Sequence, residues 1–314
     1  RNRRIFTVYG NYHTVRRALM RRGWLEKLPA SLQSMSEDAL LEHAREAVVI
    51  SKMINHFPAF FIWQGKGQRD LCAEVRPFRN GVCGMSYPRF YRLGGERMAF
   101  IEDYQQTQAN LWILKPGYQS RGIGIVIRSS LDDILQWNKK IVQKYIERPL
   151  LIYRTKFDIR QYMLLTITDT VSIWTYRDCY LRFSSQEFTM DDLRESIHLT
   201  NNSVQKRYKN KTNRDSNNMW SLDQFKNYLR IMGASWSKTY NGFKQNLVAV
   251  VMASLDETNA FELYGCDFML DEHYNPILIE INSTPDLSPS TEITARICPM
   301  VLKDCIRVVV DLPK

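Results

Sequence analysis

Residues 261–287, FELYGCDFMLDEHYNPILIEINSTPDL, set three oxygen-bearing side chains, Asp267, Glu280 and Asn282, inside two otherwise apolar runs. The runs flank the cluster Asp271-Glu272-His273-Tyr274-Asn275-Pro276, so the segment reads as strand, tight turn, strand. With Leu270 opposite Ile277, Asp267 falls opposite Glu280. Glu280 and Asn282 then share one face, because strand side chains repeat every two residues. Two facing carboxylates repel, and burying them unpaired costs several kcal/mol. A cation should hold them. So few hard oxygen ligands suit Mg²⁺, which completes its octahedron with water and substrate phosphates. The alternative is an edge hairpin whose acids are simply solvated.

A chain of 314 residues, 44% hydrophobic and 12% aromatic, buries a large core and divides into two or three lobes. Apolar runs such as Leu247–Val251 are far too short to span a bilayer, and no signal peptide is expected. Six cysteines without a CxxC pair point to reduced thiols in a cytosolic setting. The net charge of +10 calls for an acidic partner: nucleic acid, an anionic membrane or an acidic protein segment.

In chain order, Arg3–Gly10 reads as a strand and Tyr12–Arg22 as a basic helix stopped by Gly23. Ser36 caps a second helix, Phe57–Trp63 is a strand or buried connection, and the Gly-, Arg- and Pro-rich stretch 64–95 marks a lobe boundary. Leu111–Arg128 is strand, loop, strand, with Lys115, Gly117, Arg121, Gly122 and Gly124 in or beside the loop. Glycines let backbone N–H groups approach phosphate oxygens, and Lys115 and Arg121 add positive charge. No Gly-Lys-Ser/Thr opens a helix here, so this is no Walker loop. It is a mobile hairpin able to close over a nucleotide, or an ordinary glycine turn. Ser129 and Ser130, with Asp132 and Asp133, start a helix that ends near Lys140. Ile141–Ile152 mixes apolar residues with Gln143, Lys144 and Glu147, which suits a strand edge against adenine or a plain buried strand.

On a strand, Lys156, Asp158 and Arg160 share one face while Phe157 and Ile159 point into the core. Such a cation–anion–cation row suits polyphosphate; a salt-bridge ladder is the alternative. Val171–Arg177 pairs back through the Thr168-Asp169-Thr170 turn, and His198–Asn202 forms a polar knot in which a lone histidine is structural. Gln205–Asn218 reads as a basic exposed loop. Helices follow over Leu222–Met232 and Gly242–Leu255, and a last one over Thr291–Val310 begun by Ser288 or Ser290.

Taken together, LWILKPGYQSRGIGI, QKYIERPLLI, KFDIRQY, HLTNNSVQ and YGCDFMLDEHYNPILIEINSTPDL resemble the ATP-grasp fold of the tubulin tyrosine ligase-like family over Leu111–Leu287. NYHTVRRALMRRGWLEK and SPSTEITARICPMVLKDCIRVVVD are most similar to its glycylase branch. The resemblance implies an α+β protein with a small N-terminal α/β lobe over 1–95, a central lobe over 96–152 and a C-terminal lobe over 153–314, with ATP between the last two. It implies Lys115, Arg121 and Gly122 at the β- and γ-phosphates, and Gln143, Lys144, Tyr145 and Ile146 around adenine. Lys156 and Asp158, with Phe157 between them, would serve phosphate and ribose, as would Thr200 and Asn201. Asp267, Glu280 and Asn282 would ligate Mg²⁺, and Arg160, Arg177 and Glu280 would form the catalytic set. The implied activity adds free glycine to glutamate side chains of acidic tubulin tails through an acyl-phosphate, by a monomer acting on microtubules of the cytoskeleton and cilia. Lys206–Arg214 and the arginines of Arg16–Arg22 would dock the tail. A polyglutamylase would need an extra cation for the incoming side chain. A nucleic-acid-binding protein is disfavoured because no aromatic-rich RNA-binding signature is present, and a non-catalytic microtubule-binding module is the remaining alternative.

Overall fold

The computed structural model describes residues 4–29, 42–55, 59–63, 86–107, 111–116, 122–137, 140–208, 218–252 and 260–312. Near the N-terminus, β1 (Ile5–Val8), α1 (His13–Met20), β2 (Leu25–Glu26), α2 (Glu42–Met53) and β3 (Phe61–Trp63) build a three-stranded parallel sheet in the order β2-β1-β3. All four residues of β1 are buried, as expected of a central parallel strand covered on both faces. The expected start of α2 at Ser36 lies outside the described residues. Two of the arginines assigned to docking are fastened internally. Arg16 donates to Glu26 Oε1 at 2.7 Å and to the carbonyls of Val8 and Gly10, and Arg22 donates to Asp311 Oδ1 at 2.9 Å. Arg17 and Arg21 remain exposed.

The second sheet comprises β4 (Phe90–Arg92), β5 (Trp112–Pro116), β6 (Val126–Arg128) and β7 (Lys140–Lys144), all antiparallel in the order β4-β7-β5-β6. Helices α3 (Leu93–Gln106) and α4 (Leu131–Leu135) belong with it. Trp112, Leu114 and Val142 turn to α3, where the Phe100 ring meets Trp112 edge-on at 5.0 Å. Two expectations are corrected here. Phe90-Tyr91-Arg92 pairs with Gln143–Ile141, so the central sheet begins before residue 96. The helix capped by Ser130 stops at Leu135, because Lys140 is already paired to Pro116 in β7.

The third sheet has six strands. β8 (Leu151–Ile152), β9 (Thr155–Ile167), β10 (Val171–Glu187), β11 (Met219–Ser221), β12 (Ala260–Leu270) and β13 (Pro276–Asn282) run in the order β11-β10-β9-β12-β13, with β8 added to β9. Its helices are α5 (Glu195–His198), α6 (Asn202–Tyr208), α7 (Leu222–Ile231), α8 (Trp236–Met252) and α9 (Glu292–Ile306). The alternation of β9 organises this lobe. Its odd residues Phe157, Ile159, Met163 and Leu165 join Phe225, Leu229, Phe243 and Leu247 of α7 and α8. Its even residues are Lys156, Asp158 and Arg160 at one end, then Tyr162 and Leu164. The last two pack with Ile297 and Val301 of α9 and with Phe6, Val8 and Trp63 of the N-terminal sheet. One strand face is therefore charged in its first half and apolar in its second.

Several element bounds differ from expectation for local reasons. β10 runs ten residues beyond Arg177, since Tyr180–Phe183 pair with Arg160–Phe157. The start of the expected basic loop is helical in α6, and Gln205 is buried, donating to the carbonyls of Ser196 and Leu199; residues 209–217 lie outside the described residues. The last helix starts after Thr291, which forms a reciprocal cap with Thr294, while Ser288 is occupied by Asp286. α8 begins at Trp236, so Gly242 lies within the helix, where a Cβ would sit 2.5 Å from Pro276 Cγ at the start of β13. Asn246, one turn on, donates to the Gly242 carbonyl and accepts from Ser86 N–H at 2.8 Å. Gly242→Ala should therefore cost stability. Overpacking against a proline ring outweighs the gain in helix propensity by about 1–2 kcal/mol. A denaturant midpoint equal to or above that of the wild type would show that the hairpin yields instead.

Candidate active site

The central sheet and the charged end of the third sheet face each other across a cleft of about 440 Å³. Lys115, Gly122, Gln143, Lys144, Tyr145 and Ile146 line it from one side; Lys156, Asp158, Thr200, Asn201, Asp267, Glu280 and Asn282 line it from the other. Gly122 has φ +78°, and an added Cβ there would lie 2.9 Å from Asn201 Oδ1, so the hairpin closes directly on the polar knot. Gln143 Nε2 donates to the Ile279 carbonyl at 3.2 Å and ties the two walls together.

The remaining expected residues fall elsewhere. Arg121 lies outside the described residues. Phe157 is in the core, with Phe225 5.9 Å away, because strand alternation turns it from the row that Lys156 and Asp158 occupy. Arg160 lines a second, wider cavity of about 1280 Å³, which shares Asn201, Glu280, Asn282 and Thr284 with this cleft. Arg177 is exposed, between Thr175 and Cys179 where β10 shifts register against β9, and it lines neither cavity.

The arginine that β10 does contribute is Arg182, which the sequence reading missed. Continuing the hairpin register from Val171↔Ile167 would put Tyr180 opposite Asp158. The irregularity between Thr175 and Cys179 moves the pairing by two residues and sets Arg182 there. Its only sequence signal is the continuation of strand character through Tyr180–Phe183 after Arg177.

Arg182 donates to both oxygens of Asp158, at 2.7 and 2.5 Å, and its Nη2 lies 2.9 Å from Asp267 Oδ2. Arg160 grips Asp267 through Nε at 2.5 Å and Nη2 at 3.2 Å, and Thr200 Oγ1 donates to Asp158 at 2.7 Å. All four charged groups are buried. Burial alone would raise the Asp267 carboxyl, but Arg160 and Arg182 outweigh it and hold it well below the usual carboxylate range. The cations balancing this acid are thus arginines in the first instance, a correction to the simple expectation that a metal must do it.

The hairpin of β12 and β13 also departs from expectation. Leu270 pairs with Pro276, one residue off the expected partner, and a shift between Phe268 and Asp267 restores Asp267↔Glu280. Asn282 Nδ2 stands 3.2 Å from Glu280 Oε1 and 3.4 Å from Asp267 Oδ2, and Lys115 Nζ is 3.4 Å from Glu280 Oε2. Two carboxylates and an amide therefore converge, with Glu280 about one-third exposed to the cleft. Asn282 presents its Nδ2 to the acids here; with the amide turned so that Oδ1 faces them, the three side chains would offer an all-oxygen set that leaves positions for water and phosphate and suits Mg²⁺. Among the described residues no group of three or more His, Cys, Asp or Glu gathers as a metal cluster.

Two sheets closing on a cleft with lysines in both walls and an acid–amide set at one end define an α+β protein built around a polyanion-sized pocket. The chain belongs to the tubulin-tyrosine ligase family, whose model matches residues 43–314. It is 64% identical to tubulin glycylase 3B of Drosophila melanogaster, across all of this chain and 64% of that protein. It is 44% identical to tubulin glycylase 3A of Drosophila melanogaster, over 67% of this chain and 23% of that protein. It is also 44% identical to tubulin monoglycylase TTLL3 of Homo sapiens, over 64% of this chain and 29% of that protein. The chain thus spans less than two thirds of the length of each of these relatives.

Removing Arg182 leaves buried carboxylates short of a partner. Arg182→Met should cost about 3–5 kcal/mol at neutral pH. The sign with pH follows from the depressed Asp267: its contribution is present above the unfolded carboxylate pKa and is lost as pH falls through the folded value. The penalty of Arg182→Met should accordingly shrink in acid. Denaturant titrations at pH 7 and about pH 2.5, between the unfolded and folded carboxyl values, giving the same penalty would contradict the assignment.

Proposed function

We propose that the chain is the catalytic core of an ATP-grasp ligase that joins glycine to a glutamate side chain in tubulin tails. The identity of 64% along the whole chain to a protein named tubulin glycylase carries the choice of substrate. The cleft supports the choice of co-substrate. ATP would lie between the central and C-terminal lobes, its adenine along Gln143, Lys144, Tyr145 and Ile146 and its phosphates near Lys115, Lys156 and the Gly122 turn. Thr200 and Asn201 would serve ribose or phosphate. Asp158, held by Arg182 and Thr200, completes that wall. Asp267, Glu280 and Asn282 would hold Mg²⁺, which when bound draws charge from phosphate oxygens.

A glutamate carboxylate is a poor electrophile, since its negative charge repels an amine. Its oxygen attacks the γ-phosphorus of ATP, giving an acyl-phosphate and ADP. The glycine amine then adds to the acyl carbon; phosphate departs with the C–O bond pair, the nitrogen loses a proton, and an isopeptide bond remains. Arg160, which lines the wider cavity and grips Asp267 of the cleft, is suited to steady the negative oxygens of the acyl-phosphate. The wider cavity would admit the acidic tail. Lys206 lines that cavity, and Arg17 on α1 and Arg21 just beyond its end are exposed, so these cations take the docking role that Arg16 and Arg22 cannot. In this reading the protein works as a monomer on microtubules of the cytoskeleton and cilia. Among the described residues no helix is long and apolar enough to cross a membrane.

The test is tubulin incubated with ATP, Mg²⁺ and an equimolar mixture of glycine and glutamate, followed by mass spectrometry of the tails. Glycyl increments on glutamate are expected; glutamyl increments would make the protein a polyglutamylase. Glu280→Gln should lower turnover by about a hundredfold or more, because even outer-shell partners of metal sites are worth about 10–100-fold. Full activity in that variant would remove the proposed metal set.

A further inference from the structure

Behind the phosphate wall a hydrogen-bond chain joins Lys156 and Tyr145 to His198, a residue that the proposed chemistry does not use. Lys156 Nζ donates to Tyr145 Oη at 2.7 Å, Tyr145 Oη meets His198 Nδ1 at 2.6 Å, and His198 Nε2 meets the Asp192 carbonyl at 2.7 Å. Lys156, Tyr145 and His198 are all buried, and the rings of Phe188 and Tyr145 flank the imidazole at 5.3 and 5.5 Å. Both ends of the chain have fixed polarity. A carbonyl can only accept, so His198 carries its proton on Nε2; an ammonium can only donate, so Tyr145 must offer it an oxygen lone pair. Only one arrangement satisfies every link: Nδ1 accepts the tyrosine proton, and the tyrosine oxygen accepts from lysine.

From this we infer that His198 is a positioning residue: through Tyr145 it holds Lys156 as an ammonium facing the cleft, aimed at the phosphate oxygens of the bound nucleotide. The inference rests on the nucleotide reading above. Were Nδ1 protonated, the tyrosine oxygen would accept from histidine and its own proton would turn on Lys156, disfavouring the charged amine. Burial keeps His198 neutral by pushing its pKa down, against the Asp192 carbonyl, the Thr189 carbonyl and the Asp192 carboxylate, and with help from Lys156. Burial also lowers Lys156, to about 7, with Asp158 raising it and Lys115 lowering it further. An amine so poised depends on every acceptor it retains. The adjoining Thr200 and Asn201 line the same cleft, so His198 sits where the polar knot, the adenine edge and the charged row of β9 meet.

The test is binding of AMP-PNP with Mg²⁺ to the purified chain by calorimetry, from pH 6 to pH 9, with Lys156→Met as the benchmark. Wild-type affinity should fall as pH rises past about 7. His198→Leu should weaken binding roughly tenfold, the worth of a hydrogen bond to a charged group, and move that fall to lower pH. His198→Asn, whose Oδ1 can stand where Nδ1 was, should restore most of the affinity. Tyr145→Phe should match His198→Leu, and the double variant should be no worse than either; Tyr145→Phe carries the test where His198→Leu does not fold. A folded His198→Leu or Tyr145→Phe protein with wild-type affinity and pH profile, beside a Lys156→Met protein that binds poorly, overturns this inference alone. Wild-type protein that binds no AMP-PNP overturns the nucleotide reading and this inference together.

Discussion

Asp158, Arg182, Asp267 and Arg160 form a buried run of alternating charge that fastens three strands at one point. The two members from β9 are joined by one from β10 and one from β12, so no strand can slide without opposing like charges. Stability alone does not account for it, since apolar replacements of comparable volume often serve as well or better in other proteins. What hydrocarbon could not supply is orientation. Asp267 is held by two guanidinium groups with its carboxylate turned toward Glu280 and Asn282, and Asp158 is held by Arg182 and Thr200 on the wall beside Lys156.

That run lies where the even face of β9 changes character. Beyond Arg160 the same face buries Tyr162 and Leu164 against α9 and the N-terminal sheet. The apolar half anchors β9 from behind, and the odd face is pinned by α7 and α8. The charged half is therefore presented by a strand with no freedom to twist away, which is what a site built on sheet rather than loop gains in precision. The irregularities of β10 and β13 both fall beside this region, where they re-aim side chains without changing the sheet order.

Those irregularities also mark what could be read from the sequence and what could not. Period-two alternation was enough to separate Lys156, Asp158 and Arg160 from Ile159, and to bring Asp267 near Glu280. It failed for Arg182, because a two-residue shift inside a long antiparallel pair leaves no trace in polarity. It also gave the turn end of the β12–β13 hairpin one residue out of register, because the extra residue Ile279 in β13 sits in an apolar run with no turn or glycine to mark it. Long-range ion pairs were equally hidden. Nothing local distinguishes Arg16 and Arg22, bound to Glu26 and Asp311, from the exposed Arg17 and Arg21. Element ends followed pairing and caps more than composition, as at Lys140, claimed by β5, and Thr291, claimed by Thr294.

The charge count of the cleft then bears on what it can hold. Asp158 and Asp267 are satisfied by Arg182 and Arg160, so the other charged groups that line the cleft among the described residues are Arg92, Lys115, Lys144 and Lys156 against Glu280, with Lys144 also paired to Glu147. A polyanion is attracted by these cations and repelled locally at Glu280. In the proposed reading a divalent ion entering with the polyanion would reverse the sign at Glu280 and leave Lys115 and Lys156 to meet phosphate oxygens. The buried arginines thus do more than fill a core. By removing two acids from the balance, they leave a cleft lining in which cations outnumber the one acid not held by a guanidinium, Glu280.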